Sequence, residues 1–268
     1  MEEIIMLGTG AGRSIKFYNA CFALKCNEEY FLVDGGGGVN ILAQLKKANI
    51  PVTSIKSMFV THNHIDHIIG IIWIIRELAI KMRSDGLEEE YDIYASDVTI
   101  DAIRTIAGLV LTSKLNSFID DKIRLHVVGD REKLTILGQT VTFYDVNAKK
   151  EKQFGIRVDT NNGKKLVCNG DESLDKSNFD LVQNVDFLIH EAFCLESEKE
   201  QKKPHKKGHG TAKDICEIAE KLNVKNLILY HISSDDVEGR QESYLNENKS
   251  YFSGKLYIPN DLDRIQVK

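Results

Sequence analysis

The stretch Thr61-His62-Asn63-His64-Ile65-Asp66-His67 is the most informative part of this sequence, and it directly follows the apolar segment 57–60. It holds three of the eight histidines of the chain, together with one carboxylate. Imidazole nitrogens and carboxylate oxygens are ligands that Zn²⁺, Fe²⁺ and Mn²⁺ accept. In a turn between a strand and a helix, His62 and His64 can face one metal, while Asp66 and His67 can face a second. The stretch therefore predicts a metal centre, and the alternative is a polar loop of solvated histidines.

Length and composition indicate an ordinary globular protein. The chain has 268 residues, of which 42% are hydrophobic, so we expect a single domain over residues 1–268 with a large core. The net charge of -5 argues against a protein that holds long nucleic acids mainly by electrostatics, although it allows a small phosphate substrate. The five cysteines are scattered without a C-x-x-C pair, which predicts reduced thiols in a cytoplasmic protein. Residues 1–8 do not resemble a signal peptide, and the most apolar run, 68–80, is too short to cross a bilayer, so we expect no membrane partner.

Apolar segments alternate with amphipathic ones along the whole chain. The spacing of apolar residues predicts helices at 39–48, 68–82, 98–111 and 211–222. Strands are predicted at 4–7, 21–24, 30–33, 58–60, 92–95, 123–128, 133–137, 140–146, 154–158, 166–168, 186–190 and 226–230. Strands occur both in hairpin-like clusters and between helices, which suits an α/β fold of two packed sheets with helices on their outer faces. Asp34, His62 and His231 lie at or just beyond the ends of three strands, where the sites of layered α/β proteins collect.

The His-x-His-x-Asp-His pattern at 62–67 resembles the signature of the metallo-β-lactamase superfamily. Four further motifs resemble those of the superfamily and occur in the same order: Leu7-Gly8-Thr9-Gly10, Phe31-Leu32-Val33-Asp34-Gly35, Asn169-Gly170-Asp171, and His231 after its strand. The resemblance extends over nearly the whole chain and implies an αββα four-layer sandwich of the metallo-β-lactamase type. It also implies two divalent metal ions as cofactors, with Zn expected and Mn or Fe as alternatives.

The resemblance assigns a role to each of these residues. The first metal would be held by His62, His64 and Asp171, and the second by Asp66, His67, Asp171 and His231. Asp171 would thus bridge the two ions. Asp34 would order the metal loop, because a carboxylate that accepts a hydrogen bond from a ligand histidine sets which nitrogen faces the metal.

Two segments resemble the ribonuclease Z-like phosphodiesterases within the superfamily, namely His190-Glu191-Ala192-Phe193 and Gly208-His209-Gly210-Thr211-Ala212. The resemblance implies that His209 protonates the leaving oxygen, and that Glu191 orients the imidazole of His209 and raises its pKa. The expected catalytic residues are therefore Asp66, His209 and Glu191. An imidazole suits this role because it is charged or neutral near neutral pH. The alternative is that His209 only caps the helix that starts near Thr211. His126 and His205 have no motif context, and no role is predicted for them.

The sequence departs from the superfamily pattern at the third histidine of the first metal. No histidine lies between His126 and His190, and the aligned position is Asn147. An amide oxygen coordinates metals more weakly than imidazole does, so we expect a first site weakened by Asn147. The long arm with which ribonuclease Z enzymes grip transfer RNA is also missing, since residues 149–168 have room only for two strands and a turn at 161–163.

These observations predict a metal-dependent hydrolase, specifically a phosphodiesterase in which water activated by the metals attacks phosphorus. A small phosphodiester such as a cyclic nucleotide, or an RNA end, suits the missing arm, and lysines 202, 203, 206 and 207 beside His209 suit an entering phosphate. A homodimer is expected from the resemblance. The alternatives are a lactone or thioester hydrolase of the same fold, or a non-catalytic binding protein that contains a metal.

Overall fold

The computed structural model describes residues 1–267, and two mixed seven-stranded sheets form the centre of this part of the chain. The strands are β1 (Glu3–Gly8), β2 (Cys21–Cys26), β3 (Glu29–Val33), β4 (Ile55–Val60), β5 (Tyr91–Ala95), β6 (Ile123–Val127), β7 (Lys133–Ile136), β8 (Gln139–Asp145), β9 (Phe154–Asp159), β10 (Lys165–Cys168), β11 (Phe187–Glu191), β12 (Asn226–Tyr230), β13 (Lys255–Tyr257) and β14 (Arg264–Gln266). The first sheet has the order β14-β1-β2-β3-β4-β5-β6, and the second has the order β13-β12-β11-β10-β9-β8-β7.

Helices cover the outer face of each sheet. They are α1 (Asn40–Lys47), α2 (Ile65–Asp85), α3 (Asp97–Val110), α4 (Ser113–Asn116), α5 (Phe179–Val182), α6 (Lys199–Lys202), α7 (Pro204–Lys207), α8 (Ala212–Lys221) and α9 (Arg240–Asn248). Short 3₁₀ turns lie at Val52–Ser54, Lys176–Asn178 and Glu196–Glu198. Apolar side chains of α1 to α4 pack on the first sheet, and those of α5, α8 and α9 pack on the second. The result is the αββα sandwich that the sequence predicted.

The core between the sheets comes from the alternation of side chains along the strands. Ile4, Met6, Phe22 and Phe59 of the first sheet point into this layer, whereas their neighbours Ile5 and Met58 point toward the helices. A strand of such a sheet is apolar on both faces because both faces are covered, which explains the continuous apolar runs in the sequence.

Helix α2 is fixed to the loop after β3 by a close approach of two glycines. A Cβ atom added to Gly70 would lie 1.8 Å from the carbonyl oxygen of Gly35, so any larger residue would displace the backbone. The backbone nitrogen of Gly35 donates to the carbonyl of His67, and that of Gly70 donates to the carbonyl of Gly36. These contacts set the position of the first turn of α2, which carries Asp66 and His67.

The predicted helices and strands are present in the structure, which also contains elements that were not predicted. The four predicted helices are present, and α2 extends from residue 65 to 85 as a mostly buried helix. Residues 154–168 form a β-hairpin with its turn at 161–163, as predicted. Helices α4 to α7, helix α9 and strands β13 and β14 were not predicted. Helices α4 to α7 have only 4 residues each, α9 is largely polar, and each of the two strands has only 3 residues. No helix within residues 1–267 is long and apolar enough to cross a membrane.

Candidate metal centre

Five strands deliver the candidate site residues to one edge of the sandwich. In the first sheet, β3 and β4 run parallel and end just before Asp34 and Thr61. In the second sheet, β10, β11 and β12 run parallel and lead to Asp171, Glu191 and His231. Because the carboxyl ends of parallel strands lie at the same edge of a sheet, side chains that are far apart in sequence meet there.

Asp66, His67, Asp171 and His231, here called the second-metal set, form a compact buried cluster. One ligand atom from each of the four lies within 4.8 Å of the others. Oδ2 of Asp171 lies 3.0 Å from Nε2 of His67 and 2.9 Å from Nε2 of His231. Oδ2 of Asp66 lies 3.5 Å and 3.4 Å from the same two nitrogens. Two imidazoles and two carboxylates are a donor set that Zn, Mn and Fe accept.

Asp34 determines which nitrogen of His67 faces this cluster. Its Oδ2 lies 2.8 Å from Nδ1 of His67, and the carboxylate also accepts hydrogen bonds from the backbone nitrogen and the hydroxyl of Thr61. An ionised Asp34 keeps the hydrogen of a neutral His67 on Nδ1, which leaves the lone pair on Nε2. The predicted role of Asp34 is therefore consistent with its contacts.

Unpartnered buried atoms show that the cluster fits a divalent cation. Nε2 of His67 and Oδ1 of Asp171 are buried and have no hydrogen-bond partner among residues 1–267. With a neutral His67, the lone pair on Nε2 would face carboxylate oxygens, which is unfavourable because neither side donates a hydrogen, so either a proton or a cation must lie between them. A cation placed between these atoms would satisfy both. The residues present therefore fit the metal that the fold implies.

The charges of the cluster also indicate a site for a cation. Burial disfavours charged imidazoles, but the charge and hydrogen bond of Asp171 raise the pKa of His231 to about 10, and Asp171, Asp34 and Asp66 raise that of His67 well above its usual value. The pKa values of Asp66 and Asp171 are lowered by the same histidines, although burial opposes this. Protons on the imidazoles thus balance the carboxylates where no metal is bound. A metal competes with them, so its binding releases protons.

His62 and His64, here called the first-metal pair, are arranged more loosely. Nε2 of the buried His62 lies 2.9 Å from Nδ1 of His64 and 3.8 Å from Oδ2 of Asp171. Nδ1 of His62 lies 2.9 Å from the hydroxyl of Thr61. Burial, with the nearby His67, lowers the pKa of His62 well below its usual value, so this imidazole is neutral, as a ligand must be. His64, in contrast, is exposed.

The structure differs from the sequence prediction at Asn147. This residue is exposed and has a left-handed backbone conformation, with φ of 58°. Its amide nitrogen donates to the hydroxyl of Ser177 at 2.9 Å, and its backbone nitrogen donates to the carboxylate of Asp145 at 2.8 Å. The turn after β8 thus directs Asn147 toward Ser177. We therefore withdraw Asn147 as a metal ligand.

Gln153 is a site residue that the sequence analysis missed. Its side chain is buried, and its Oε1 atom accepts a hydrogen bond from the backbone nitrogen of Asp171 at 3.3 Å. It therefore helps to fix the backbone that carries the bridging carboxylate. Its place directly before the predicted strand 154–158 was the only signal in the sequence.

His209 and Glu191 lie beside the second-metal set. Nδ1 of His209 lies 3.0 Å from the carbonyl oxygen of Asp171 and 3.5 Å from Oε2 of Glu191. Burial opposes the charged form of His209, but the negative charge of the adjacent Glu191 raises the pKa of His209. Glu191 itself is fully buried, and its Oε1 accepts from the backbone nitrogen of Gly210 at 2.6 Å. The ring of His209 stacks on Phe193, with centroids 4.7 Å apart and planes at 5°.

The alternative role of His209 as a helix cap is wrong. Thr211 is the residue that caps α8, since its hydroxyl accepts from the backbone nitrogen of Asp214, whose carboxylate accepts from that of Thr211. His126 and His205 also lie outside the cluster, as expected. Nε2 of His126 is 2.6 Å from Asp92, and Nε2 of His205 is 2.7 Å from Asp214.

A buried polar network supports the site from behind. The side-chain amide of Asn169 donates to the carbonyl of Glu172 at 2.8 Å and lies 3.2 Å from Nε2 of His190. Nδ1 of His190 lies 2.9 Å from the carbonyl of Glu191. Tyr144 donates to Oδ1 of Asn169 at 3.1 Å. Burial lowers the pKa of His190, so a neutral His190 links the segment around Asp171 to that of Glu191.

The protein has the metallo-β-lactamase fold, with two packed sheets and helices on their outer faces. Its candidate metal centre is the histidine–aspartate cluster at the carboxyl ends of the strands. Residues 2–252 match the family model described as "Anti-Pycsar protein Apyc1". The chain therefore belongs to this family.

Several known proteins are similar to this chain at low sequence identity. Ribonuclease Z of Pyrococcus abyssi is 25% identical over 323 aligned residues, which cover 100% of this chain and 97% of the relative. The metallo-β-lactamase fold protein YhfI from Bacillus subtilis has a TM-score of 0.80 at 20% identity, with 99% of both chains covered. Human tRNase Z, short form, has a TM-score of 0.75 at 21% identity, also with 99% of both chains covered. The two structural matches show the fold alone.

Proposed function

We propose that this protein is a metal-dependent phosphodiesterase that uses two divalent metal ions, preferentially Zn with Mn or Fe as alternatives. The observation that carries the proposal is the position of the His209–Glu191 pair, 3.5 Å apart, directly beside the buried second-metal set. Hydrolysis of an ester of phosphoric acid with a poor leaving group needs both charge stabilisation and a proton donor. The metal ligands and His209 supply these two functions in one place.

The second-metal set and the first-metal pair would hold the two ions, which would supply activation of water and stabilisation of charge on the phosphoryl oxygens. Asp34 keeps the lone pair of His67 on Nε2. His209 donates a proton to the departing oxygen, and the buried Glu191 favours its charged form. Because Nδ1 of His209 is engaged with the carbonyl of Asp171, Nε2 is the nitrogen available for this transfer.

A small substrate suits the surroundings of the site. The segment in which ribonuclease Z enzymes carry their arm is a short hairpin here, formed by β9 and β10. Nζ of Lys207 lies 4.8 Å above the ring of Phe193, which stacks on His209, and Lys150 donates to the carbonyl of Lys207 at 3.3 Å. These cations stand near the proposed proton donor in a chain of net charge -5. A cyclic nucleotide or a short RNA end is therefore the proposed substrate class.

The description of a relative supports the same reaction class. Ribonuclease Z is the description printed for the relative from Pyrococcus abyssi, which the chain covers almost completely. A hydrolase of RNA phosphodiesters shares the reaction class proposed here, while the absence of the arm argues for a smaller substrate.

Hydrolysis of bis(p-nitrophenyl) phosphate by the purified protein tests the proposal. We expect turnover with added Zn²⁺ or Mn²⁺, loss with a chelator, and loss in His64→Ala. The matched control is His126→Ala, since His126 contacts Asp92 away from the cluster. Absence of turnover with both metals bound would refute the proposal. Activity on a chromogenic lactone or thioester would then identify an acyl hydrolase, and tight ligand binding without any turnover would identify a binding protein.

A homodimer and a cytoplasmic location remain part of the proposal. The dimer rests on the resemblance to the ribonuclease Z-like enzymes, since a single exposed apolar side chain such as Ile65, 71% exposed beside the ligands, is common on monomers. Light scattering on the purified protein would measure the mass, for which the chain alone gives 30.3 kDa.

A further inference from the structure

The segment 9–19, here called the site loop, forms one wall of the metal centre. The backbone nitrogen of Ala11 donates to the carbonyl of Ile232 at 3.0 Å, and that of Ile232 donates to the carbonyl of Thr9 at 3.1 Å. The loop is thereby joined to the residue that follows His231. At Gly12 it touches Asp66, since an added Cβ atom would lie 2.8 Å from Oδ2 of Asp66. The loop thus contacts the candidate ligand Asp66 directly and supports a second one, His231, through backbone hydrogen bonds to the next residue.

Arg240, at the start of α9, holds the site loop at two points. Its side chain is 1% exposed, and Cζ lies 3.5 Å from the ring centroid of Phe17. Nη2 donates to the hydroxyl of Thr9 at 3.0 Å and to the carbonyl of Pro259 at 2.7 Å. Gly12 lies between these two attachment points, so both sides of the segment that touches Asp66 are fixed by one guanidinium group.

Thr9 is fixed from its other side as well. Its hydroxyl donates to Oδ1 of Asp261 at 2.8 Å, and its backbone nitrogen donates to the same oxygen at 3.0 Å. Oδ2 of Asp261 accepts from the backbone nitrogen of Tyr18 at 2.6 Å. Arg240 and Asp261 together connect the site loop to the C-terminal part of the chain.

Burial of the Arg240 guanidinium is energetically unfavourable. Among residues 1–267 it forms no ion pair, and its Nε and Nη1 atoms have no hydrogen-bond partner. Burial lowers the pKa of Arg240 to about 10, and the charges of Asp261, Asp263 and Asp235, none of which pairs with it directly, offset only part of this effect. A buried cation without a paired anion is normally destabilising compared with an apolar side chain of similar volume. Arg157 shows the usual arrangement, since its Nη2 lies 2.8 Å from a carboxylate oxygen of Asp159.

We propose that Arg240 is a positioning residue of the metal centre, which clamps the site loop on Asp66 and on the segment after His231. In this arrangement the backbone at Gly12 restricts the Asp66 carboxylate to the orientation that faces the second-metal set and keeps bulk water away from it. Loss of the clamp frees the loop and the carboxylate together. The effect on turnover rests on the proposed function, whereas the effect on metal retention does not.

The test compares Arg240→Met, Arg240→Lys and the matched control Arg157→Met in the metal-loaded protein. The rate of metal release to a chromophoric chelator is measured without substrate, beside the Tm and the kcat and KM for bis(p-nitrophenyl) phosphate. We expect Arg240→Met to release the more tightly held metal about 10- to 100-fold faster, the range seen when groups that orient ligands are removed. Its kcat should fall while KM changes little. Arg240→Lys should recover part of both, because a lysine keeps a donor for Thr9 but not the planar stack on Phe17.

A purely structural role predicts a different pattern. Arg157→Met removes an ion pair of the second sheet, so it should lower the Tm without faster metal release. Equal release rates for Arg240→Met and Arg157→Met at a comparable loss in Tm would overturn the proposal. If Arg240→Met does not fold, Phe17→Leu removes the stack alone and should still accelerate release, and unchanged release in that variant would also overturn it. Wild-type protein that retains metal but has no turnover would refute the proposed function and leave this test intact.

Discussion

The second-metal set and the first-metal pair are built in different ways, although both come from the same short motif. Each member of the second-metal set is buried, and His67 is oriented by the carboxylate of Asp34 at 2.8 Å. In the first-metal pair, His62 is buried but His64 is exposed. The position expected to complete it, Asn147, faces Ser177 instead. The second-metal set is therefore held in place by the surrounding structure, whereas the first-metal pair has less structure around it to fix its side chains.

This difference has a direct consequence for metal affinity. A ligand that is already held in place loses little conformational freedom when a metal binds, whereas an exposed side chain such as His64 loses more. Fewer protein donors also weaken binding. We expect the second-metal set to bind tightly and the first-metal pair to bind weakly, and the substitutions below test this ranking from the largest effect to the smallest.

Replacement of Asp171 should have the largest effect, because its carboxylate faces both halves. Oδ2 of Asp171 lies 2.9 Å from His231 and 3.8 Å from His62. Asp171→Ala should lose both metals and all metal-dependent turnover. Metal content by mass spectrometry, beside turnover of bis(p-nitrophenyl) phosphate, measures this. Asp180→Ala, which removes an exposed carboxylate paired with Arg131, is the control. An Asp171→Ala protein that keeps one tightly bound metal would show that the two halves do not share this ligand.

Replacement of His209 should separate proton donation from metal binding. His209→Ala leaves both ligand sets unchanged, so metal content should stay at the wild-type level. Turnover of an alkyl phosphodiester should fall about 10²- to 10⁴-fold, the usual contribution of general acid catalysis. Turnover of a nitrophenyl ester should fall far less, because nitrophenolate leaves without a proton. Equal losses on the two substrates would refute the role of His209 as proton donor.

Replacement of Asp34 should affect the second-metal set more than the first-metal pair. Asp34→Asn removes the charge that keeps the hydrogen of His67 on Nδ1, and the affinity of the second metal should fall about 10- to 100-fold. His62 makes its contact to the hydroxyl of Thr61 and not to Asp34, so the first metal should respond less. Competition with a chelator in two phases measures both affinities in one titration. An equal weakening of the two phases would mean that Asp34 orders the whole loop rather than His67 alone.

The sequence predicted the fold and the tightly built half of the centre well. Strand ends after Val33, Val60 and Tyr230 were readable from apolar runs followed by Asp34, Thr61 and His231, and the parallel strands bring those ends together. The predicted residues Asp66, His67, Asp171 and His231 lie in one cluster in the structure.

What the sequence did not reveal depends on the path of loops. The role of Arg240 requires the C-terminal part of the chain to return beside the loop that carries Phe17, and no local pattern encodes a contact over that distance in sequence. Gln153 was missed for the same reason, since its contact to the backbone of Asp171 depends on how two strands lie side by side. Asn147 was placed by alignment to a strand end, but the left-handed turn at this residue directs its side chain elsewhere.

Substitution of Asn147 should have the smallest effect, and it examines the weak half of the centre most directly. Asn147→Ala removes a surface hydrogen bond to Ser177, so the free energy of unfolding should change by no more than about 0.5 kcal/mol, and the affinity of the first metal should not change. Asn147→His supplies the imidazole that the superfamily pattern has at this position. Because the turn directs the side chain of residue 147 toward Ser177, this variant should not tighten the first metal either. A tighter first metal in Asn147→His, seen in the weak phase of the chelator titration, would show that the turn rearranges around a bound ion, and Asn147 would then return as a candidate ligand.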